Sequence, residues 1–198
     1  MSKLTTFLVA FILLFVTVGC NQNQKAPTRI VSQQAVKTDI LGLTLCDKTN
    51  EKKVEKALQN AIGEYIITDS QKDQTGKLIR AIPSSLSFSY AGCAWTYVDV
   101  TLDGDDNITA IGLTASYENI ENAKRQYEQI VSTFEQKYGK GNVHPEGQLT
   151  FWTDDVNSVG VYYQESASID GSDRSFCSLY YTNIALSDKL DAQNMSDI

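Results

Sequence analysis

Residues 94–116 read AWTYVDVTLDGDDNITAIGLTAS, and this stretch decides how the rest of the chain is read. From Ala94 to Leu102 the residues alternate. Val98, Val100 and Leu102 fall on one side, and Trp95, Tyr97, Asp99 and Thr101 on the other, the two-residue period of a strand. Asp103-Gly104-Asp105-Asp106-Asn107 is a turn, because short polar side chains and Gly accept the dihedral angles a reversal needs. Ile108 to Ser116 then returns, with Ile111 and Leu113 on one face. The stretch is a hairpin whose first strand can bury both faces.

The pattern changes period on either side. Ile120, Ala123, Tyr127, Ile130, Val131, Phe134 and Tyr138 form one apolar stripe at helical spacing, with Asn119 as cap and Gly139 as stop. Upstream, Val54, Ala57, Leu58, Ala61 and Ile62 recur in the same way. Asp47 and Thr49 are the caps expected there, and Gly63 the stop. Between this helix and the hairpin, Glu64–Ser70 and Leu78–Ile82 read as strands. Beyond the second helix, Leu149–Thr153, Ser158–Glu165 and Ser175–Ile184 read as strands separated by polar turns. The expectation is an α+β fold with two helices packed on one face of an antiparallel sheet, in the order helix, strands, helix, strands. A helix ended by glycine before each group of strands also gives a faint two-fold repeat of elements.

The N-terminus carries a different message. Lys3 precedes an apolar run from Leu4 to Val18, too short for a bilayer span and suited to a secretory signal. The run ends in Val18-Gly19-Cys20, which resembles a bacterial lipobox, with Thr17 where Leu is usual. Residues 1–19 are accordingly expected to be a lipoprotein signal peptide and Cys20 the lipidated residue. Residues 20–38, rich in Asn and Gln, are expected to be a flexible tether, and residues 39–198 a single domain. Several acyl chains on one thiol anchor stably where a single chain does not. Asn21 in place of Asp favours the outer membrane, with the domain periplasmic or surface-exposed.

Charge and composition narrow the function. The 198 residues carry 17 Lys+Arg against 24 Asp+Glu, a formal charge of -7, which argues against nucleic acid as partner. Asp103, Asp105 and Asn107 have the first spacings of a calcium loop, but Ile108 stands where Gly is required and Thr114 where Glu is required. Neither a metal nor a cofactor is expected. Cys46, Cys93 and Cys177 match no zinc spacing; a disulfide is expected between Cys93 and Cys177 if any forms, the alternative being three buried thiols. His144 is the one histidine, and no nucleophile or phosphate-loop motif accompanies it.

The aromatic residues are the more informative feature. The ten Tyr and two Trp include pairs at 162–163 and 180–181 that put one ring on each side of a strand. Trp95, Tyr97, Tyr163 and Tyr180 are the expected interaction face, because Tyr and Trp bury large areas with few rotatable bonds.

Leu41-Gly42-Leu43, Phe88-Ser89-Tyr90-Ala91-Gly92 and Lys137-Tyr138-Gly139 carry a resemblance to small uncharacterised envelope lipoproteins of Bacteroidetes-type bacteria, over roughly residues 40–185. The order of elements also loosely resembles inhibitor and assembly-accessory lipoproteins built as helices on an open antiparallel sheet. The resemblance brings no catalytic motif with it. The expected function is a lipid-anchored, non-enzymatic binding or accessory domain of the envelope. Its partners would be the membrane, through the lipid, and an envelope protein. The alternatives are an envelope glycan hydrolase with an Asp/Glu pair and a carrier of a small apolar ligand between helices and sheet.

Overall fold

The structure is a computed structural model, and it describes residues 31–32, 34–72, 76–144, 147–167 and 173–186. The signal peptide, Cys20 and the tether as far as residue 30 lie outside the described residues.

The first described elements are a two-stranded hairpin, β1 (Asp39–Ile40) and β2 (Leu43–Thr44), before helix α1 (Glu51–Ile62). Strands β3 (Tyr65–Lys72) and β4 (Gly76–Pro83) follow, then a small hairpin of β5 (Phe88–Tyr90) and β6 (Cys93–Trp95). Next come β7 (Tyr97–Asp103) and β8 (Ile108–Tyr117), helix α2 (Ile120–Tyr138), and β9 (Asn142–Val143). The last three strands are β10 (Leu149–Thr153), β11 (Asn157–Ala167) and β12 (Asp173–Asn183). Eight of these strands form one sheet in the order β3-β4-β7-β8-β12-β11-β10-β9, antiparallel at every pairing.

The sheet is two four-stranded meanders joined through their last strands. β8 pairs with β12 from Thr182↔Ala110 to Ser175↔Tyr117, with Leu113 opposite Leu179 near the middle. This joint is what lets one sheet span the whole domain.

The expected fold class is corrected by this architecture. The protein is mostly sheet, 49% strand, built on one eight-stranded antiparallel sheet, so two helices on one sheet in a helix–strands–helix–strands order does not describe it. The helices explain the difference. α2 buries Ala123, Gln126, Tyr127, Ile130, Phe134 and Tyr138, a stripe wide enough to lie across β8, β11 and β12. α1 buries only Val54, Leu58 and Ile62, one residue per turn, and lies along no strand in the same way. A stripe that narrow cannot cover half a sheet. The sheet instead closes its core with the β5–β6 hairpin, which contributes Phe88, Cys93 and Trp95.

The helix ends follow the sequence closely. Asn119 Oδ1 accepts from the Asn122 amide, as expected of the cap of α2. At α1 the cap is Asn50, whose side chain accepts from the Lys53 amide, and neither Asp47 nor Thr49 fills that place. Gly63 and Gly139 stop the helices with positive φ of 77° and 82°, their amides bonded to Gln59 O and Glu135 O.

The core lies on the α2 side of the sheet. Val98 and Val100 of β7, Ile111 and Leu113 of β8, Leu179 and Tyr181 of β12, and Val159 and Val161 of β11 share it. Trp152 packs against both Phe134 and Tyr138 of α2, which also meet edge to face, and its indole N–H donates to Gly139 O at 2.9 Å. Val36 is buried in the same cluster at 3% exposure, and the Lys37 amide bonds to Tyr138 Oη. Packing thus starts before residue 39, inside the stretch expected to be tether.

Candidate functional site

The other face of the sheet carries two adjacent cross-strand rows. The first runs Arg80, Asp99, Gly112, Tyr180, Gly160 and Phe151, over β4, β7, β8, β12, β11 and β10. The second runs Tyr97, Thr114, Ser178, Tyr162 and Leu149. Because partners across a ladder point to the same side, each row gathers its side chains on one face. Tyr180 and Leu149 are buried there yet stand outside the cluster under α2.

At one end of the first row Asp99 and Arg80 form a two-point ion pair. Arg80 Nε donates to Asp99 Oδ1 at 2.7 Å and Nη2 to Oδ2 at 2.6 Å. Asp99 is 2% exposed and the Arg80 side chain 14%. The Tyr97 ring lies 4.5 Å from Arg80 Cζ, so the guanidinium is held by a carboxylate and by an aromatic face. Burial opposes the Arg80 charge, while the hydrogen bonds and charge of Asp99 overcome that and push its pKa upward. Burial, and then the charge of Asp99, push the Tyr97 phenol up to about 12.

The middle of the rows is aromatic. Tyr162 and Tyr180 stack at 6.0 Å between centroids and 16° between planes. Tyr180 lies flat because glycine stands beside it on both neighbouring strands, Gly112 on β8 and Gly160 on β11. A Cβ on Gly112 would fall 2.3 Å from Tyr180 Cε1. Below the rings, Thr114 Oγ1 and Ser178 Oγ share a hydrogen bond of 3.0 Å. Burial raises both phenols, Tyr180 well above its ordinary value. Gly112→Ala is expected to turn the Tyr180 ring off the sheet and to lower stability by about 1–3 kcal/mol, the usual effect of overpacking. Urea titration together with the near-UV circular dichroism of the tyrosines measures both. An unchanged spectrum would show that the ring does not rest on Gly112.

This arrangement separates the residues expected to share a face. Tyr97 and Tyr180 do lie together, joined by Tyr162. Trp95 does not belong with them. It is fully buried in the core, its indole N–H bonded to Tyr90 O at 2.9 Å. The strand breaks at Thr96, whose amide and hydroxyl both bond to Thr114 O, so the alternation does not carry across it. Tyr163 faces α2, 5.0 Å from Tyr127. Arg80, Asp99, Gly112 and Tyr162 were not among the expected residues. The one signal for them in the sequence is the acid at 99 between two valines, since a carboxylate inside an apolar strand needs a cation across the ladder.

The remaining candidates resolve simply. Asp103 Oδ1 accepts from the amides of Asp105 and Asn107, so that acid closes its own turn. Among the described residues no group of three or more His, Cys, Asp or Glu side chains is placed to hold a metal. His144 lies in the link between β9 and β10, its amide bonded to Leu149 O. A groove of about 430 Å³ opens beside α1, lined by Leu41, Lys53, Lys56, Ala57, Asn60 and Ala61, and so is not a cavity between helix and sheet. Both oxygens of Asp99 are bound by Arg80, which fixes a charge in place and leaves that acid unsuited to passing protons. The two rows thus hold a pre-ordered aromatic and ionic arrangement.

The three described cysteines are free thiols, and the disulfide expected between Cys93 and Cys177 is not formed. Both sulfurs are buried in the core, and burial raises both thiols above their ordinary value. Cys46 is exposed, its thiol raised more by partial burial than by the charges of Asp47 and Asp103. Ellman's reagent is expected to react with Cys46 in the folded domain and with Cys93 and Cys177 only after denaturation. Silence of Cys93 and Cys177 in denatured, unreduced protein would show that they had paired.

No family model, curated protein or solved structure matches the chain. Among the described residues, no helix is long and apolar enough to cross a membrane.

Proposed function

We propose that the protein is a lipid-anchored, non-enzymatic binding or accessory protein of the cell envelope, attached to the outer membrane through Cys20. The lipobox-like Val18-Gly19-Cys20 supports the anchor. The observation that carries the binding role is the pair of rows opposite α2. Half-buried Tyr97, Tyr162 and Arg80, fixed by stacking on Tyr180 and by a two-point ion pair with Asp99, are the composition of interface centres. Their geometry is set before any partner arrives, so little rotamer entropy is lost on association. The partner that suits this surface is a folded envelope protein presenting an apolar patch with a polar group for the Arg80–Asp99 end.

A photo-crosslinking residue at position 97 or 162, in the lipidated protein and in its own envelope, tests this reading. Adducts of defined mass are expected at both positions, and none from Lys124 on the exposed side of α2. Equal labelling at all three positions, or none at 97 and 162, would refute the assignment of this face.

A further inference from the structure

Six large apolar side chains are exposed among the described residues, and they fall at two separate places. Ile66, Ile67 and Leu86 sit on or beside edge strand β3, because Ser84 N bonds to Glu64 O and Leu86 N to Pro83 O. Val31, Val143 and Val156, at 56%, 59% and 54% exposure, surround β10 at the other end of the sheet. Val31 is bridged to Thr153, Val143 is paired with Thr150, and Val156 lies in the turn that leaves β10. Thr150 hydrogen-bonds Tyr127 of α2, so Val143 lies toward the helix side, while Thr153 belongs to the opposite face and places Val31 toward it. The three valines therefore clothe a corner from both sides. Exposed Lys140 and Asp155 flank it, with Asp154 beside them, its carboxylate accepting from the amides of Val36, Val156 and Asn157.

The covalent chain selects one of the two places. Val31 is eleven residues from Cys20. Eleven residues reach at most about 36–40 Å. β3 is six strands away from β10 across the sheet, which adds about 29 Å at the ordinary strand spacing. The valine corner is thus the part of the domain nearest the anchor, and the Ile66–Leu86 end meets a bilayer holding Cys20 only with those eleven residues drawn out to most of their length.

We propose that the corner formed by Val31, Val143 and Val156 is the surface on which the domain rests against the bilayer. This rests on the anchor reading given above. The contact itself is apolar, and the two acids beside it outnumber Lys140, so salt does not weaken it. It stands the sheet edge-on to the membrane and leaves half-buried Tyr97 and Tyr162 facing sideways, toward a partner in the same membrane.

The test uses the full lipidated protein carrying Cys46→Ser, in vesicles of phosphatidylethanolamine and phosphatidylglycerol. An environment-sensitive fluorophore is placed by Val143→Cys, Val156→Cys or, for comparison, Leu86→Cys. Lipid-borne nitroxide is expected to quench positions 143 and 156 at least about twofold more than position 86, with a blue-shifted emission at both. All three variants alter exposed side chains, and circular dichroism checks their fold. Equal quenching at all three positions, on protein that floats with the vesicles, overturns the orientation and leaves the anchor standing. Protein that does not float and carries no acyl mass on Cys20 overturns the anchor, and the orientation with it.

Discussion

Asp99→Ala is expected to destabilise the domain by about 3–5 kcal/mol, because it leaves the Arg80 guanidinium buried without its counter-charge. For a domain of this length that is a fall in melting temperature of roughly 6–20 °C. The geometry makes the loss large. Both donors of Arg80 that Asp99 accepts are within 2.7 Å, and the Arg80 side chain is only 14% exposed, too enclosed for water to replace the carboxylate fully. Tyr97 offers an aromatic face to the stranded cation but no negative charge. The double variant Arg80→Met with Asp99→Leu separates this penalty from the value of the pair. It removes both charges, so it is expected to recover most of the stability that the single change loses. Urea unfolding followed by tryptophan fluorescence measures both. A single-variant loss under about 1 kcal/mol would mean that the pair is solvated, and the rows would then not be the rigid surface described here. The same variants separate binding from folding, because the double variant is expected to fold and still to lose the adducts at position 97.

The sequence exposes local structure and hides pairing across strands. Both helices are legible from their apolar stripes, and their stops from Gly63 and Gly139, because a helix end needs only its own neighbours. Residues 97–116 are legible as a hairpin for the same reason. The β1–β2 turn is not. Leu41 and Gly42 both take positive φ, 57° and 75°, a turn that usually shows itself by Asn or Asp before Gly, and here uses Leu. Arg80 and Asp99 are nineteen residues apart, and nothing in either strand gives the register that sets them opposite. Tyr97 was visible as an outward ring, but its grouping with Trp95 assumed an unbroken strand through Thr96, where the Thr114 carbonyl takes both the amide and the hydroxyl. The width of the sheet was hidden too, since it depends on β8 finding β12, a pairing written in no single window of sequence.

High pH tests the aromatic side of the molecule as a whole. Burial, with nearby charges added, raises Tyr97 and Tyr117 to about 12 and holds Tyr180 and Tyr181 well above their ordinary value; Tyr127 and Tyr162 are raised as well. In the unfolded chain these phenols ionise near pH 10. Between about pH 10 and 12 the unfolded state has therefore lost protons that the folded state still holds, and stability must fall as pH rises. Below pH 10 the contribution is fully present. A shift of about two units corresponds to roughly 2–3 kcal/mol for each such tyrosine, less where water screens the ring. Tyr97 alone is then a sizeable part of the stability of an ordinary domain, about 5–15 kcal/mol, and Tyr180 and Tyr181 add in the same direction. The expected result is cooperative unfolding within that window. Phenolate absorbance at about 295 nm should rise together with the loss of near-UV circular dichroism, the buried rings ionising only as the sheet opens. Gradual titration near pH 10 with the circular dichroism intact would show that the rings are accessible to water. Tyr97→Phe sharpens the comparison. It keeps the ring over Arg80 and removes one titrating proton, so the midpoint should move to higher pH, whereas an unmoved midpoint would assign the alkaline limit to the tyrosines under α2.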